Sequence, residues 1–393
     1  MTTAGQTTPL QQQLSLAWRG SPDWRRRLVA GLTLASVLLG SQTLAASTSQ
    51  SRDVQLLLPS EGLLAGLGDG LRRGYQQAML ETQRCGFAPP SLQLGWLPPG
   101  ADPITALRSA PRSALLVAPP AAPLAAYGRL AEEQQLTVLL PLQRGHSLEG
   151  LPQLRGADRL WPLVPGRNQE ADRLAQALLQ DSVTRVMVVR DRSAESRSLS
   201  QRFEAGFANG NGQLIGPTSA PQVLSGTDSK ALAQLVDDVD WYRPPALVVI
   251  TQPGSSLAKA VQTATWPSTT RLAWTFPVTR PLAQRQIGIE SLSRGPGWTG
   301  FAQRFRQQWG YEPGLVESAG YDTGQMAALA SVVVQGQPGW GLEWFSSRAK
   351  ALPLCAALQQ RRRGAAVRPH GATSQLDLAP ALPPSANLQV SHG

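Results

Sequence analysis

Three glycines at alternate positions are the first residues that could do chemistry, because glycines let a backbone approach a phosphate at a helix N-terminus. Gly66, Gly68 and Gly70 follow the apolar run Leu56–Leu58 and lie in a segment with helical, amphipathic spacing. A dinucleotide fingerprint requires G-x-G-x-x-G, and a phosphate loop requires a Lys followed by Ser or Thr. The triplet here is G-x-G-x-G and no such Lys follows it, so the sequence disfavours nucleotide binding.

The acidic and serine-rich segments do not predict an enzyme. The carboxylate pairs Asp237-Asp238 and Glu132-Glu133 are adjacent in sequence on predicted helices, so the two members of each pair face different directions. They are better explained as solvated helix faces than as a general acid and base. The serine-rich stretch Ser193–Ser200 lies at a predicted loop and helix start without a nearby base. We therefore expect no catalytic residues.

Histidine and cysteine are scarce. The three histidines, His146, His370 and His392, leave little material for a zinc site or a histidine-based triad. The two cysteines, Cys85 and Cys355, have no His or Cys neighbours at metal-ligand spacing. In an oxidising compartment they could form a disulfide, and the alternative is two buried free thiols. We expect no metal and no cofactor.

The N-terminal segment has the layout of an export signal. Arg25–Arg27 precede a thirteen-residue apolar stretch, Leu28–Gly40, and small residues follow at Thr43–Ala46. This order of charge, apolar core and cleavage site is typical of secretory signals. We predict that residues 1–46 are a signal peptide cleaved near Ala46 and that the mature protein is periplasmic.

Two alternatives remain open for this segment. Leu28–Ala46 nearly reaches the roughly 20 residues that span a bilayer, which would suit an uncleaved anchor, although the polar Ser41, Gln42 and Thr43 argue against it. The run RRRLV, Arg25–Val29, also fits a loose twin-arginine signal, which would mean export after folding.

The charge of the chain bears on its partners. The formal net charge is +10, and removing residues 1–46 takes away four Arg and one Asp, which leaves about +7. Scattered arginines favour contact with an anionic envelope surface or simply a solvated exterior. No basic run is interleaved with aromatic residues, so we do not expect a nucleic-acid partner.

The order of predicted elements indicates an α/β fold with two domains. Without residues 1–46, the mature chain has about 347 of the 393 residues, which is longer than a chain that folds around a single hydrophobic core usually is. Short apolar strands alternate with helices, and the alternation restarts near Leu160, which is typical of parallel sheets. The predicted strands are VQLLL, SLQLGWL, SALLVA and LTVLLP before the restart, and TRVMVV, GQLIGP, PALVVI and TRLAWTF after it.

Together with this order, five segments resemble the type I periplasmic solute-binding proteins of the branched-chain amino-acid ABC transporter family, the Leu/Ile/Val-binding-like proteins. The segments are LLLPSEGLLAGLGDGLRRGYQQA, RNQEADRLAQAL, FAQRFRQQWGYEP, SAGYDTGQMAALA and CAALQQRRRGAAVRPHGATSQLDL. The likeness extends from about Val54 to Leu378. It implies two Rossmann-like lobes with parallel sheets joined by a three-crossing hinge: residues 47–162 plus 313–393 as lobe 1, and 163–312 as lobe 2.

The resemblance also implies a solute site between the lobes. Gly66 and Gly68 would keep one wall of this cleft small, or would serve only the strand-to-helix turn. Asp322, next to Tyr321 near the predicted start of a long helix, would cap that helix or touch the ligand. The ligand-binding positions carried over from the family are Glu61, Leu67, Ala121, Ala122, Gln143, Arg144, Gln252, Ser255, Phe276 and Tyr321.

The predicted site departs from the amino-acid binders of the family. The loop Pro119–Pro123 has no hydroxyl, and Gln143 and Arg144 replace small hydroxyl residues. The loop after TRLAWT has no carboxylate to pair with an ammonium, and an unpaired buried charge costs several kcal/mol. We therefore expect a polar or anionic solute, with Arg144 either meeting its anionic group or remaining solvated.

Two functions follow as expectations. One is a receptor that captures a small solute and delivers it to an ABC transporter permease. The other is a non-transport envelope scaffold or regulator on the same fold, similar to the penicillin-binding-protein activators.

Overall fold

The computed structural model describes residues 54–98, 100–109, 113–120, 122–276 and 283–393. The predicted signal peptide, residues 1–46, and Ala121 lie outside these residues. None of the helices within the described ranges is both long and apolar enough to cross a bilayer.

The first half of the chain forms a five-stranded parallel sheet in the order β2-β1-β3-β4-β5. Its strands are β1 (Val54–Pro59), β2 (Leu92–Leu97), β3 (Leu115–Val117), β4 (Thr137–Leu140) and β5 (Leu160–Pro162). The helices between them are α1 (Gly62–Arg84), α2 (Pro103–Ser109) and α3 (Leu124–Gln134). Side chains alternate between the two faces of a strand. Leu56 and Leu58 accordingly join one apolar core, and Leu57 joins the core on the opposite face.

A second, larger sheet follows, in the order β14-β11-β10-β9-β6-β7, with β8 also paired to β6. The remaining strands are β6 (Arg185–Arg190), β7 (Gln213–Leu214), β8 (Gln222–Val223), β9 (Ala246–Ile250), β10 (Arg271–Trp274), β11 (Gln286–Ile289), β12 (Ala351–Leu352), β13 (Arg368–Pro369) and β14 (Val390–His392). The remaining helices are α4 (Asn168–Gln180), α5 (Ala194–Asn209), α6 (Ser229–Tyr242), α7 (Ser256–Thr263), α8 (Trp298–Trp309), α9 (Leu315–Ser331) and α10 (Leu354–Arg362). Val188 faces one core and Met187 the other, so this sheet too is buried on both faces.

The predicted α/β class with parallel sheets is confirmed. The predicted lobe boundaries stay a prediction, but the position of the last strand, β14, does not agree with them. The sequence places the whole of 313–393 in lobe 1, but β14 pairs antiparallel with β11 in the second sheet. Val390 lies opposite Ile289 and packs against the core of that sheet, which explains why the chain crosses back.

The early glycines have different roles, and one of them, Gly70, serves the packing of α1 on α9. Gly62, with a φ of +73°, is the first residue of α1, and Gly66, Gly68 and Gly70 lie inside that helix. A Cβ on Gly70 would come within 3.0 Å of the Val316 side chain in α9, and α1 and α9 pack closely along their lengths. The open alternatives for Cys85 and Cys355 are resolved as well: they form a disulfide, with a Cα–Cα distance of 5.1 Å.

Candidate functional site

A cavity of about 360 Å³ lies where loops from both sheets meet. The loop after β4 comes from the first sheet, and the loops after β9, β10 and β11 come from the second. The carboxyl ends of parallel strands are the usual place for ligand sites in α/β folds. The cavity is lined by Arg144, Arg167, Glu170, Gln252, Pro253, Phe276 and Ser291.

Two arginines and one glutamate form the polar side of this cavity. Glu170, whose side chain is 1% exposed, accepts a hydrogen bond from Arg144 Nη2 at 2.8 Å and another from Arg167 Nε at 3.3 Å. Arg167 also donates from Nη1 to Glu195 Oε1 at 3.3 Å. The carboxylates thus neutralise much of the arginine charge, which makes burial of these groups tolerable.

Arg144 joins the first sheet to the second. Its Nε donates to the carbonyl of Pro165 at 2.9 Å, and its Nη2 donates to the carbonyl of Ser291 at 3.3 Å. Arg144 therefore bonds to the chain just after β5 and just after β11, in addition to α4.

The second sheet contributes an apolar and a polar wall. Phe276 is buried and packs on the Trp274 ring, with 5.8 Å between ring centroids. Gln252 is exposed beside Pro253. Ser255 caps α7, because its Oγ accepts from the Ala258 N–H at 3.0 Å and lies 2.8 Å from Thr251 Oγ1.

Three of the predicted ligand-binding residues, Arg144, Gln252 and Phe276, are brought together at the cavity. Gln143 is buried near it and donates from Nε2 to the Pro119 carbonyl at 2.6 Å. Glu61 is exposed immediately before α1, and Leu67 is partly buried within that helix. Ala122 is partly buried against the core of the first sheet.

Tyr321 lies away from the cavity, in the middle of α9. Its hydroxyl donates to Glu81 Oε2 at 2.6 Å, and its ring packs on Phe301 at a centroid distance of 4.6 Å. Burial, followed by the nearby Glu81 charge, raises the pKa of this hydroxyl well above its ordinary value. The contacts of Tyr321 therefore bind α9 to α1 and α8.

Asp322 neither begins nor caps α9, since that helix starts at Leu315. The carboxylate is fully buried and accepts from Ala372 N at 2.7 Å, Thr373 N at 2.9 Å and Thr373 Oγ1 at 2.6 Å. Gln325 Nε2 donates to it as well, at 3.1 Å. Burial raises its pKa to about 6, although all four hydrogen bonds act in the opposite direction. Asp322 thus holds the late segment at 372–373.

Four cavity residues, Arg167, Glu170, Pro253 and Ser291, are missing from the sequence-based site. Arg167 and Glu170 stand three residues apart at a predicted helix start, and this ion-pair spacing is the sequence signal that points to them. Ser291 contributes its backbone carbonyl, and no side-chain pattern predicts that. Across the described ranges, no group of three or more His, Cys, Asp or Glu residues is placed to hold a metal ion.

No family model matches the chain, and no curated protein matches it in sequence. Solved structures do match it. A solute-binding protein of an ABC transporter from R. palustris, in complex with benzoate, aligns with a TM-score of 0.56 over 86% of this chain and 92% of its own, at 16% identity. The chain has the type I periplasmic-binding-protein fold.

Two further structures support this fold. A branched-chain amino-acid ABC transporter periplasmic ligand-binding protein from Burkholderia xenovorans aligns with a TM-score of 0.58 at 12% identity, covering 74% of this chain and 80% of its own. A leucine-binding protein from Thermotoga maritima aligns with a TM-score of 0.52 at 15% identity, covering 70% and 82%. The predicted resemblance is confirmed at the level of the periplasmic-binding-protein fold.

Proposed function

We propose that the chain is an exported solute-binding protein that holds a small organic anion in the cavity around Arg144 and delivers it to an ABC transporter permease. The observation that carries this proposal is the joint construction of the cavity by the loop after β4 and the loops after β9, β10 and β11. Closure of two lobes around such a site is the usual way in which this architecture traps a solute.

The cavity chemistry supports an anion with an apolar body. Within the described ranges, the contacts of Arg144 use Nε and Nη2 and those of Arg167 use Nε and Nη1. Nη1 of Arg144 and Nη2 of Arg167 therefore remain for a carboxylate, which a guanidinium fork suits. Phe276 and Pro253 provide the apolar wall. A volume of about 360 Å³ fits the roughly 300–1,000 Å³ typical of ligand pockets.

The same chemistry disfavours a zwitterionic amino acid. Glu170, the carboxylate of the cavity, is already shared by two guanidinium groups, so an ammonium would have to displace one of them. Among the aligned structures, two contain benzoate or 3,4-dihydroxybenzoic acid and others contain leucine or isoleucine. We favour the carboxylate without an ammonium for this chain, and we infer a binder with no enzymatic activity.

A thermal-shift panel on the purified mature chain tests the proposal. Benzoate, leucine, a neutral aromatic amide and inorganic phosphate should be compared, because a ligand selective for the native state raises Tm by mass action. We expect benzoate to raise Tm and leucine to have little effect. Arg144→Gln should weaken benzoate binding by about tenfold or more, since a hydrogen bond to a charged group contributes about 1.5–3 kcal/mol.

Arg202→Gln is the matched control, because Arg202 forms an ion pair with Asp172 on the surface of the second lobe, outside the cavity. It should leave benzoate binding unchanged. If no panel member shifts Tm, the receptor proposal fails.

The envelope scaffold remains the second candidate, and one observation favours it: the cavity arginines are already paired within the chain. Co-purification with cell-wall enzymes, together with a flat solute panel, would support it. Periplasmic fractionation of the expressed full chain tests the export signal shared by both candidates.

A further inference from the structure

The segment Arg144–Glu149 follows β4, keeps Leu148 in a core of the first sheet, and contacts the N-terminal ends of α4 and α5 in the opposite lobe. We name this segment the clasp. At its first residue, Arg144 Nη2 bonds to Glu170 Oε1 in α4 at 2.8 Å, and the Arg144 carbonyl accepts from Arg167 N at 2.8 Å. At its middle, His146 donates its backbone N–H to Glu195 Oε2 in α5 at 2.7 Å, and its Nδ1 lies 3.0 Å from the same oxygen.

The last residue of the clasp makes a third attachment. Glu149 Oε1 accepts from Asn168 Nδ2 in α4 at 2.7 Å and also from the Ser198 hydroxyl in α5. Burial raises the pKa of Glu149, but the hydrogen bonds from Ser198 and Asn168 outweigh it and hold the pKa below its ordinary range. The ionised carboxylate is therefore the form that suits this contact.

The backbone of the clasp is fitted to its partner. A Cβ on Gly145 would lie 2.8 Å from Glu195 Oε2, which is closer than real Cβ atoms approach. Glycine at this position allows the clasp backbone to reach the Glu195 carboxylate. Glu170 is 1% exposed and Glu195 is 11% exposed, so two of the three attachment points are shielded from water, where charge pairs are screened least.

We propose that the clasp holds the two lobes closed without any solute, so that its contacts must break before a solute can enter the cavity. This inference rests on the proposed function, because Arg144 belongs both to the clasp and to the cavity wall. The apparent affinity for the solute is then reduced by the fraction of molecules that are open.

Distance measurements between the lobes test the clasp directly. Spin labels at Arg129→Cys in α3 and Asp240→Cys in α6, both exposed positions, report the separation of the lobes. The native cysteines do not interfere, because they are joined in a disulfide. Without solute, the otherwise unchanged chain should give one narrow distance distribution. Glu149→Ala with Glu195→Ala should move the distribution to a new, broader maximum.

Two further variants guard against a folding artefact. Gly145→Val leaves every clasp charge in place but crowds Glu195, and it should give the same shift as the double variant. Asp172→Asn removes an α4–α5 ion pair that lies within one lobe, and it should leave the distances unchanged. All variants are first compared by circular dichroism. If the double variant and Gly145→Val both keep the narrow distribution, the clasp proposal is overturned.

The outcome separates this inference from the proposed function. A shifted distribution in both clasp variants, together with a thermal-shift panel in which no solute raises Tm, supports the clasp and removes the receptor. Benzoate binding with unchanged distances in both clasp variants supports the receptor and removes the clasp.

Discussion

Asp322 is a fully buried carboxylate whose described hydrogen-bond partners are all electrically neutral. They are two backbone N–H groups, one hydroxyl and one amide. Its partner segment is itself tightly packed, because a Cβ on Gly295 would lie 2.1 Å from the Ser374 carbonyl and one on Gly297 would lie 2.6 Å from that of His370. Thr373 also reaches the Leu163 carbonyl at 3.4 Å. Asp322 in α9 therefore anchors the segment 370–374 at the place where it meets Gly295, Gly297 and Leu163.

The raised pKa of Asp322 predicts an unusual pH dependence of stability. Its pKa of about 6 exceeds the ordinary 3.8, so the folded chain binds this proton more tightly than the unfolded chain does. The group therefore favours folding most below its unfolded pKa, and this contribution is lost as the pH rises through about 6. Acidification from pH 7 to 4 should raise its contribution to the free energy of unfolding by about 2 kcal/mol, because the native carboxyl is then almost fully protonated and the unfolded one only partly.

Denaturant unfolding of the native chain and of Asp322→Asn at several pH values measures this contribution. The difference between the two free energies should change across this window. Thr373→Val, which keeps the acid and removes one donor, should move the dependence to higher pH. A constant difference between the native chain and Asp322→Asn would show that the carboxylate has an ordinary pKa.

At the scale of the residue, the sequence predicted three of the residues that line the candidate cavity. Arg144, Gln252 and Phe276 were predictable because each follows a strand of a parallel sheet, and such loops converge. The structure places Tyr321 away from the cavity. Its position was carried over from the family, which gives its place in the chain but not the direction of its side chain, and that side chain points toward Glu81. Glu170 was missed because charge spacing in a helix does not reveal which loop lies opposite.

The contact between α1 and α9 is the tightest helix pairing of the described chain segments. A Cβ on Gly74 would lie 1.8 Å from the Glu317 carbonyl oxygen, and one on Gly320 would lie 2.0 Å from that of Leu71. Small residues on both helices let the two backbones approach. The glycines of α1 therefore differ in what they face: Gly70 and Gly74 face α9, Gly68 faces Leu58 of β1, and Gly66 faces open space.

Two substitutions in α1 should have opposite effects. Gly74→Ala should lower the free energy of unfolding by about 3 kcal/mol or more, since overpacking against a backbone carbonyl cannot be relieved by a rotamer change. Gly66→Ala has no neighbour within 4 Å and should raise it by about 0.5–1 kcal/mol, because alanine is the better helix former. Urea unfolding of both variants provides the comparison, and equal effects would contradict this packing.

The elements themselves were largely predictable, because strands buried on both faces are short apolar runs and the helices between them are amphipathic. The role of the glycines was not. Their spacing resembles a turn or a phosphate loop, and only the position of α9, more than two hundred residues later in the chain, shows what they face.

At the scale of the whole molecule, one covalent link joins distant parts of the sequence. The disulfide connects Cys85, just after α1, to Cys355 in α10, and the two cysteines are 270 positions apart in the sequence. A bridge over such a long loop removes much conformational freedom from the unfolded chain. The oxidised chain should therefore be markedly more stable than the reduced one.

Replacing both cysteines by serine should lower the free energy of unfolding by about 2–5 kcal/mol. Guanidinium unfolding of the double variant should match that of the native chain in excess reductant. Equal stability with and without reductant, after mass spectrometry has confirmed the bridge, would show that the link constrains little.

The sequence left this pairing open, because separation along a chain does not give distance in space. It also left open the return of the chain to the second sheet, where Val390–His392 covers β11. As a ribosome makes this protein, β11 emerges long before its cover has been synthesised. Until β14 has been synthesised, β11 is therefore an edge strand of the nascent chain. Its unpaired N–H and C=O groups can then bind a chaperone or a strand of another nascent chain.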